Sequence, residues 1–137
     1  MNYVFDVSFV GTLIISDEQN TQTNSLYQKI KNNDDKYTPN LFWYEISNIF
    51  RNLLLRKRYS AEEVTLLFPM VESLGLITDF GSGISYSKKI WDLSNSSNLS
   101  VYDAAYLELA DRKKAILCTL DEDLLNAAKK HGVQIIA

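Results

Sequence analysis

The order of apolar and polar positions separates short strands from longer helices. "NYVF" reads as a short buried strand that ends at Asp6. "SFVGTLIIS" fits helix or strand, because a short apolar run carries no decisive period. "DEQNTQTN" is polar and turn-like, "SLYQKIK" has helical spacing, and "NNDDK" reads as a loop. Thr38-Pro39 is expected to open a long helix, since proline suits a first turn, where its missing N–H is not needed. Ile46, Ile49, Phe50 and Leu53 keep one apolar face through that helix. "SAEEVTLLFPMVESLG" predicts one further helix, started by a Ser60…Glu63 capping box, kinked at Pro69 and ended by Gly75.

"LITDF" is strand-like, Gly81 to Gly83 form a turn, and "ISYSKKIWDLSN" is helical. Ser100 opens the apolar helix of "LSVYDAAYLELA", and "AILCTL" is a buried strand. "DEDLLNAAKKHG" predicts a short helix with its cations last and Gly132 as terminator. "VQIIA" is a final strand. Strands alternating with helices imply an α/β fold, a Rossmann-like parallel sheet of four to five strands with helices on both faces. The length of 137 residues fits a single domain over residues 1–137.

Composition changes this picture little. Apolar residues make up 46% and charged residues 23%, the profile of an ordinary globular protein. No stretch is long enough to span a bilayer, and Arg56-Lys57-Arg58 soon follows Leu53-Leu54-Leu55. The N-terminus lacks a basic segment leading into a long apolar one, so no secretory leader is expected. The single cysteine, Cys118, has no intramolecular partner, which points to a reducing cytoplasm. A net charge of −3 gives no global attraction for nucleic acid.

Ligands of such a sheet bind beyond the carboxyl ends of its strands. Asp6 ends the first strand, Asp121 follows "AILCTL", and Asp103 lies in the first turn of the preceding helix. Each has a plain alternative as a helix-capping residue, and Ser100 with Asp103 has the spacing of a capping box. Glu45 lies beyond the first turn of its helix, where no cap is needed, and Asn48 follows one turn later. A solvated helix face would hold that pair equally well. Taken together, four carboxylates from distant segments could share one crevice, where they persist ionised only with cations. Oxygen-only ligands select Mg2+ or Mn2+ over Zn2+. Two such ions roughly 4 Å apart can activate a water and support a leaving oxygen in phosphodiester cleavage.

Other chemistries lack parts. His131 is the only histidine, so a histidine acid–base pair is excluded. No nucleophile elbow or phosphate-binding Gly-Lys loop is present. "GSG" is too short for a dinucleotide fingerprint. "DVSFVGT" has Ser8 where an aspartyl phosphatase carries its second aspartate, and Phe5 stands where a receiver domain carries the first acid of its pair.

The chain resembles the PIN-domain ribonucleases, and specifically the VapC toxins of bacterial toxin–antitoxin pairs. Asp6-Val-Ser8, Glu45-x-x-Asn48, "SVYDAAYLELA" and "LCTLDEDL" carry the resemblance, in order and over almost the whole length. It implies a PIN-like fold and a metal-dependent endoribonuclease acting as a toxin. It implies that Asp6, Glu45, Asp103 and Asp121 bind one or two Mg2+ or Mn2+ ions, with Asp123 as a further acid that could share them. Ser8, Asn48 and Thr119 would orient the site. It also implies a homodimer and a small VapB-like antitoxin. The alternative is a non-catalytic protein on this fold that binds an antitoxin or RNA without cleavage.

Four of the seventeen acids assigned to a metal site leave the rest of the chain near neutrality, so local cations could guide RNA. Arg56, Arg58 and Arg112 are the candidates. Arg56 returns close to the azimuth of Glu45 after three helical turns. Phe42, Trp43, Phe50, Tyr59 and Phe68 are more aromatics than a small core readily hides, so some are expected to form an exposed patch for a second subunit or an antitoxin helix.

Overall fold

The computed structural model describes residues 1–136. Its centre is β1 (Asn2–Phe5), whose Tyr3, Val4 and Phe5 are all buried. β2 (Asp35–Pro39) and β3 (Ile77–Asp79) continue the sheet on one side, and β4 (Ile116–Cys118) lies on the other. All pairings are parallel, in the order β3-β2-β1-β4. Val4 stands opposite Tyr37 in β2 and Leu117 in β4. Parallel strands need crossover connections, and helices supply them here.

The ambiguous run after Asp6 is helix α1 (Val7–Ile14), because the Asp6 side chain accepts the Phe9 N–H and starts a helix. α2 (Thr21–Gln28) is capped by Asn20 in the same way. α3 (Leu41–Leu55) buries Phe42, Ile46, Phe50 and Leu53, with Ile49 half-buried at the edge of that face. α6 (Gly83–Ser97) and α8 (Glu122–His131) pack on α7 (Val101–Arg112), and α7 packs on β1, β2 and β4. Gly132 ends α8 at φ 80°, a left-handed cap that suits glycine.

Three sequence expectations are corrected. Thr38-Pro39 does not open a helix. It closes β2, and α3 begins at Leu41. The strand "DKYTP" has no apolar run, and pairing on both sides decides its conformation. Proline is tolerated there because it is the last residue of the strand. Second, "SAEEVTLLFPMVESLG" forms two helices, α4 (Ala61–Thr65) and α5 (Leu67–Glu72). Pro69 cannot donate to the carbonyl of Thr65 and its ring crowds it, so the break falls before the proline. The Ser60…Glu63 capping box is present, with reciprocal bonds of 3.1 and 3.0 Å. Third, the described part of "VQIIA", residues 133–136, contributes only an isolated bridge between Leu117 and Ile135, and Ala137 lies outside the described residues.

α7 is buried along Ala104 to Ala110, including the charged Glu108. A carboxylate is tolerated there because Arg112 Nε donates to it at 2.7 Å and Lys89 lies 3.4 Å away. Arg112 also spans to both oxygens of Asp79 at the end of β3, at 3.1 and 2.8 Å. This ion network ties α7 to the edge strand.

Candidate active site

The parallel pairing of β1 with β4 brings two distant loops together at the carboxyl edge of the sheet. Asp6 follows β1 and donates its N–H to the Cys118 carbonyl at 3.2 Å. Its side chain is buried, 5% exposed. Oδ1 accepts from the Phe9 N–H at 2.9 Å and the Ser8 hydroxyl at 2.7 Å, and Oδ2 accepts from the Thr119 hydroxyl. The two hydroxyls in turn accept backbone N–H groups of the loop that follows β4. Ser8 takes that of Leu120 at 2.9 Å, and Thr119 that of Asp121 at 3.0 Å. Asp121 caps α8 by accepting the Leu124 N–H at 2.9 Å. Capping therefore holds for both Asp6 and Asp121, and it coexists with their position at this edge.

Glu45 projects from α3 and is half-buried. Its Oε1 accepts the hydroxyl proton of Tyr106, a fully buried residue of α7, at 2.7 Å. Burial and the adjacent Glu45 charge push the Tyr106 phenol far above its ordinary range, so it acts as a donor. Thr38 lies beside Tyr106 and donates to the Phe5 carbonyl at 3.1 Å. Asp103 sits in the first turn of α7, where Ser100 caps the helix by accepting the Asp103 N–H at 3.1 Å.

The acids act on one another. Burial holds the Asp6 carboxyl above the usual carboxylate range despite its three hydrogen bonds, and the charge of Asp103 adds to this. Glu45 is raised by burial, then by Asp6 and Asp103, against the Tyr106 bond. Asp103 is raised by burial, then by Asp121 and Asp123. Asp103 is thus the acid that the others share. Among the described residues, no lysine, arginine or histidine forms an ion pair with Asp6, Glu45, Asp103, Asp121 or Asp123. Cys118, beside this edge, is no nucleophile, because burial pushes its thiol well up and Asp6 adds to the shift.

A group of acids that lacks protein cations suits a bound divalent cation. The donors are all oxygens, which fits Mg2+ or Mn2+. Asp6 has taken three of its roughly four acceptor positions, whereas Oδ2 of Asp121 is free of side-chain and backbone donors among the described residues. Among the described residues no three His, Cys, Asp or Glu side chains are drawn close enough to hold one ion between them. The fit lies in donor chemistry and charge.

The remaining predicted residues divide. Ser8 and Thr119 belong to the Asp6 network, whereas Asn48 is exposed one turn beyond Glu45. Asp123 is exposed at the start of α8. Arg56 is exposed at the end of α3 and enters no ion pair among the described residues. Arg58 is held by Asp17 and Glu18, at 2.6 and 3.4 Å, and Arg112 by Glu108 and Asp79. Those two guanidiniums serve the fold. Tyr106 and Thr38 carry no sign of a site in the sequence. Tyr106 reads as part of the apolar face of its helix, although it lies three residues after Asp103 and so on the same side.

The expected aromatic patch is corrected as well. Phe42 and Phe50 are buried, and Trp43 and Tyr59 are half-buried. The polar tips of the last two are satisfied internally, Trp43 by donating to Thr78 at 2.9 Å and Tyr59 by accepting from Ser16 N–H at 3.0 Å. Only Phe68 of the five is exposed. Beside it an apolar groove of about 270 Å³ runs between α3 and α5, lined by Trp43, Ile46, Phe50, Phe68 and Val71. Its one acidic lining residue is Glu72, and none of Asp6, Glu45, Asp103, Asp121 and Asp123 lines it.

A model of the PIN domain family matches residues 3–130. No curated protein matches the chain. Among solved structures, the crystal structure of PAE2754 from Pyrobaculum aerophilum is similar at a TM-score of 0.69 and 19% identity, covering 93% of this chain and 87% of that one. Likeness at that identity speaks for the fold.

Proposed function

The chain belongs to the PIN-domain family, which implies nuclease-type chemistry, and we propose that it is a metal-dependent endoribonuclease serving as the toxin of a toxin–antitoxin pair. The observation that carries the proposal is the set of mutually coupled acids at the carboxyl edge of the sheet, with no protein cation among them. Asp6, Glu45, Asp103 and Asp121 would hold one or two Mg2+ or Mn2+ ions, with Asp123 beside them. When bound, such an ion supplies Lewis acidity toward a phosphodiester and makes water a stronger nucleophile.

The chain's own residues do the positioning. Ser8 and Thr119 fix Asp6 with two donated protons, so that this carboxylate is set before substrate arrives. Asp103, under the repulsion of Asp121 and Asp123, gains most from a cation nearby. Arg56 would meet the RNA backbone, being exposed and unpaired among the described residues. An antitoxin segment and a second copy of the chain are the proposed partners, and the groove between α3 and α5 with its exposed Phe68 supports an apolar contact.

RNA cleavage by the purified protein tests this reading. Cleavage at defined positions should require Mg2+ or Mn2+, stop with chelator, and be lost in Asp6→Asn and Asp103→Asn. Undiminished cleavage in excess chelator would overturn it, as would full activity in both variants. Co-purification with the product of a small adjacent reading frame tests the toxin role.

A further inference from the structure

Tyr106 stands beside the proposed site, inside the segment "SVYDAAYLELA" but with no role assigned to it there. It is 2% exposed, it lies on α7 in the turn after Asp103, and its hydroxyl reaches a carboxylate from a different helix. A phenol buried for packing alone would be better replaced by phenylalanine, because a buried hydroxyl must find a partner. Here the partner is Glu45 Oε1 at 2.7 Å. Glu45 Oε2 takes no donor among the described residues. Resting on the nuclease reading above, we propose that Tyr106 is a positioning residue, which fixes Oε1 of Glu45 so that Oε2 is presented to a divalent cation.

The physical reason is conformational. A glutamate has three side-chain torsions, and binding an ion freezes them at an entropic cost. Tyrosine has only two torsions, and the ring of Tyr106 is clamped in the core. A charge-assisted O–H···O bond from a fixed donor therefore selects one Glu45 geometry before the ion arrives. The side chain of α3 is thereby held by α7, the helix that also carries Asp103. Thr38 of β2 lies beside the phenol, with its own proton given to the Phe5 carbonyl. The Tyr106 hydroxyl is the joint between α3 and α7.

Tyr106→Phe keeps the ring and removes only the oxygen. Mn2+ titrated by calorimetry into the metal-free protein should bind the variant about 10–100-fold more weakly than wild type. RNA cleavage should lose kcat with KM unchanged. In a Glu45→Ala background the same substitution should weaken Mn2+ binding no further. Wild type should show a tyrosine ultraviolet difference band on adding Mn2+, and Glu45→Ala should not. Equal Mn2+ affinity of Tyr106→Phe and wild type would overturn the proposal. So would an equal loss with and without Glu45. If Tyr106→Phe fails to fold, the difference band decides, and its absence in a wild type that binds Mn2+ overturns the proposal. A wild type that neither binds Mn2+ nor cleaves RNA removes the nuclease reading itself, and with it the role of Tyr106.

Discussion

The hydroxyls of Ser8 and Thr119 lie 3.3 Å apart across 111 residues of chain. Each has a single proton, and each gives it to Asp6, so they meet as two donors to one carboxylate. Thr119→Val keeps the shape and removes that donor, and it also strands the Asp121 N–H. It should cost about 2 kcal/mol in urea unfolding, in the range for a hydrogen bond to a charged group. Ser8→Ala, at the half-exposed end of the network, should cost about 1 kcal/mol. Equal stability of all three proteins would remove this network from the account of the fold.

Asp103→Asn separates a helix-terminal role from a place among the acids. In chelator the variant should melt about 2–4 °C above wild type, because one repelling charge is gone. With millimolar Mg2+ the wild type should gain stability and the variant much less. If Asp103 merely complements the helix dipole, the substitution should instead cost about 0.5–1 kcal/mol with or without the ion. Thermal melts of both proteins in both buffers distinguish the cases.

The same coupling fixes a sign for pH dependence. Glu45 has a folded pKa above its unfolded one, so the unfolded chain ionises first as pH rises. In chelator, the stability of wild type relative to Glu45→Gln should therefore fall from about pH 4 upward and level off above the raised value. Asp79 has the opposite sign. Arg112 lowers its pKa, so its contribution is present above the ordinary aspartate value and is lost as acid titrates it. Wild type relative to Asp79→Asn should gain stability between pH 2 and about 4.

The arginines expected to guide RNA should divide by partner. Arg112→Ala leaves Glu108 buried beside Lys89 alone and should cost about 3 kcal/mol. Arg56→Ala should change stability by no more than about 0.5 kcal/mol. If Arg56 meets phosphate, the same variant should weaken RNA binding and flatten its salt dependence. Filter binding at several salt concentrations, beside urea unfolding, checks both.

Much of this was legible in the sequence where local chemistry and tertiary structure agree. Asp6, Ser60, Ser100 and Asp121 all cap helices, because a short polar side chain before an amphipathic run satisfies free N–H groups in any context, whereas the Asn20 cap falls inside the stretch that reads as a turn. β2 was not legible. Its Asp35 and Lys36 disfavour a strand, Tyr37 and Thr38 are too short a run to outweigh them, and the flanking β1 and β3 make "DKYTP" extended. The same limit hid Tyr106 and the pairing of Arg112 with Asp79. Spacing within one helix marks Asp103 and Glu45 as unusual, but a contact between α3 and α7 has no period along the chain.

The strand order has a consequence for the protein's synthesis. β1 is made before the other three strands, yet it lies inside the sheet, and its second neighbour, β4, emerges after them all. A growing chain can pair β1 with β2 early, while the β4 side of Asp6 waits for Thr119. The acids thus gather only after β4 and Asp121 have emerged. A ribosome carrying a chain that stops short of β4 holds a half-built sheet, with Asp6 bonded to Ser8 and Phe9 but not to Thr119, and with Asp121 not yet made. Whatever chemistry the assembled edge performs is withheld until that stage.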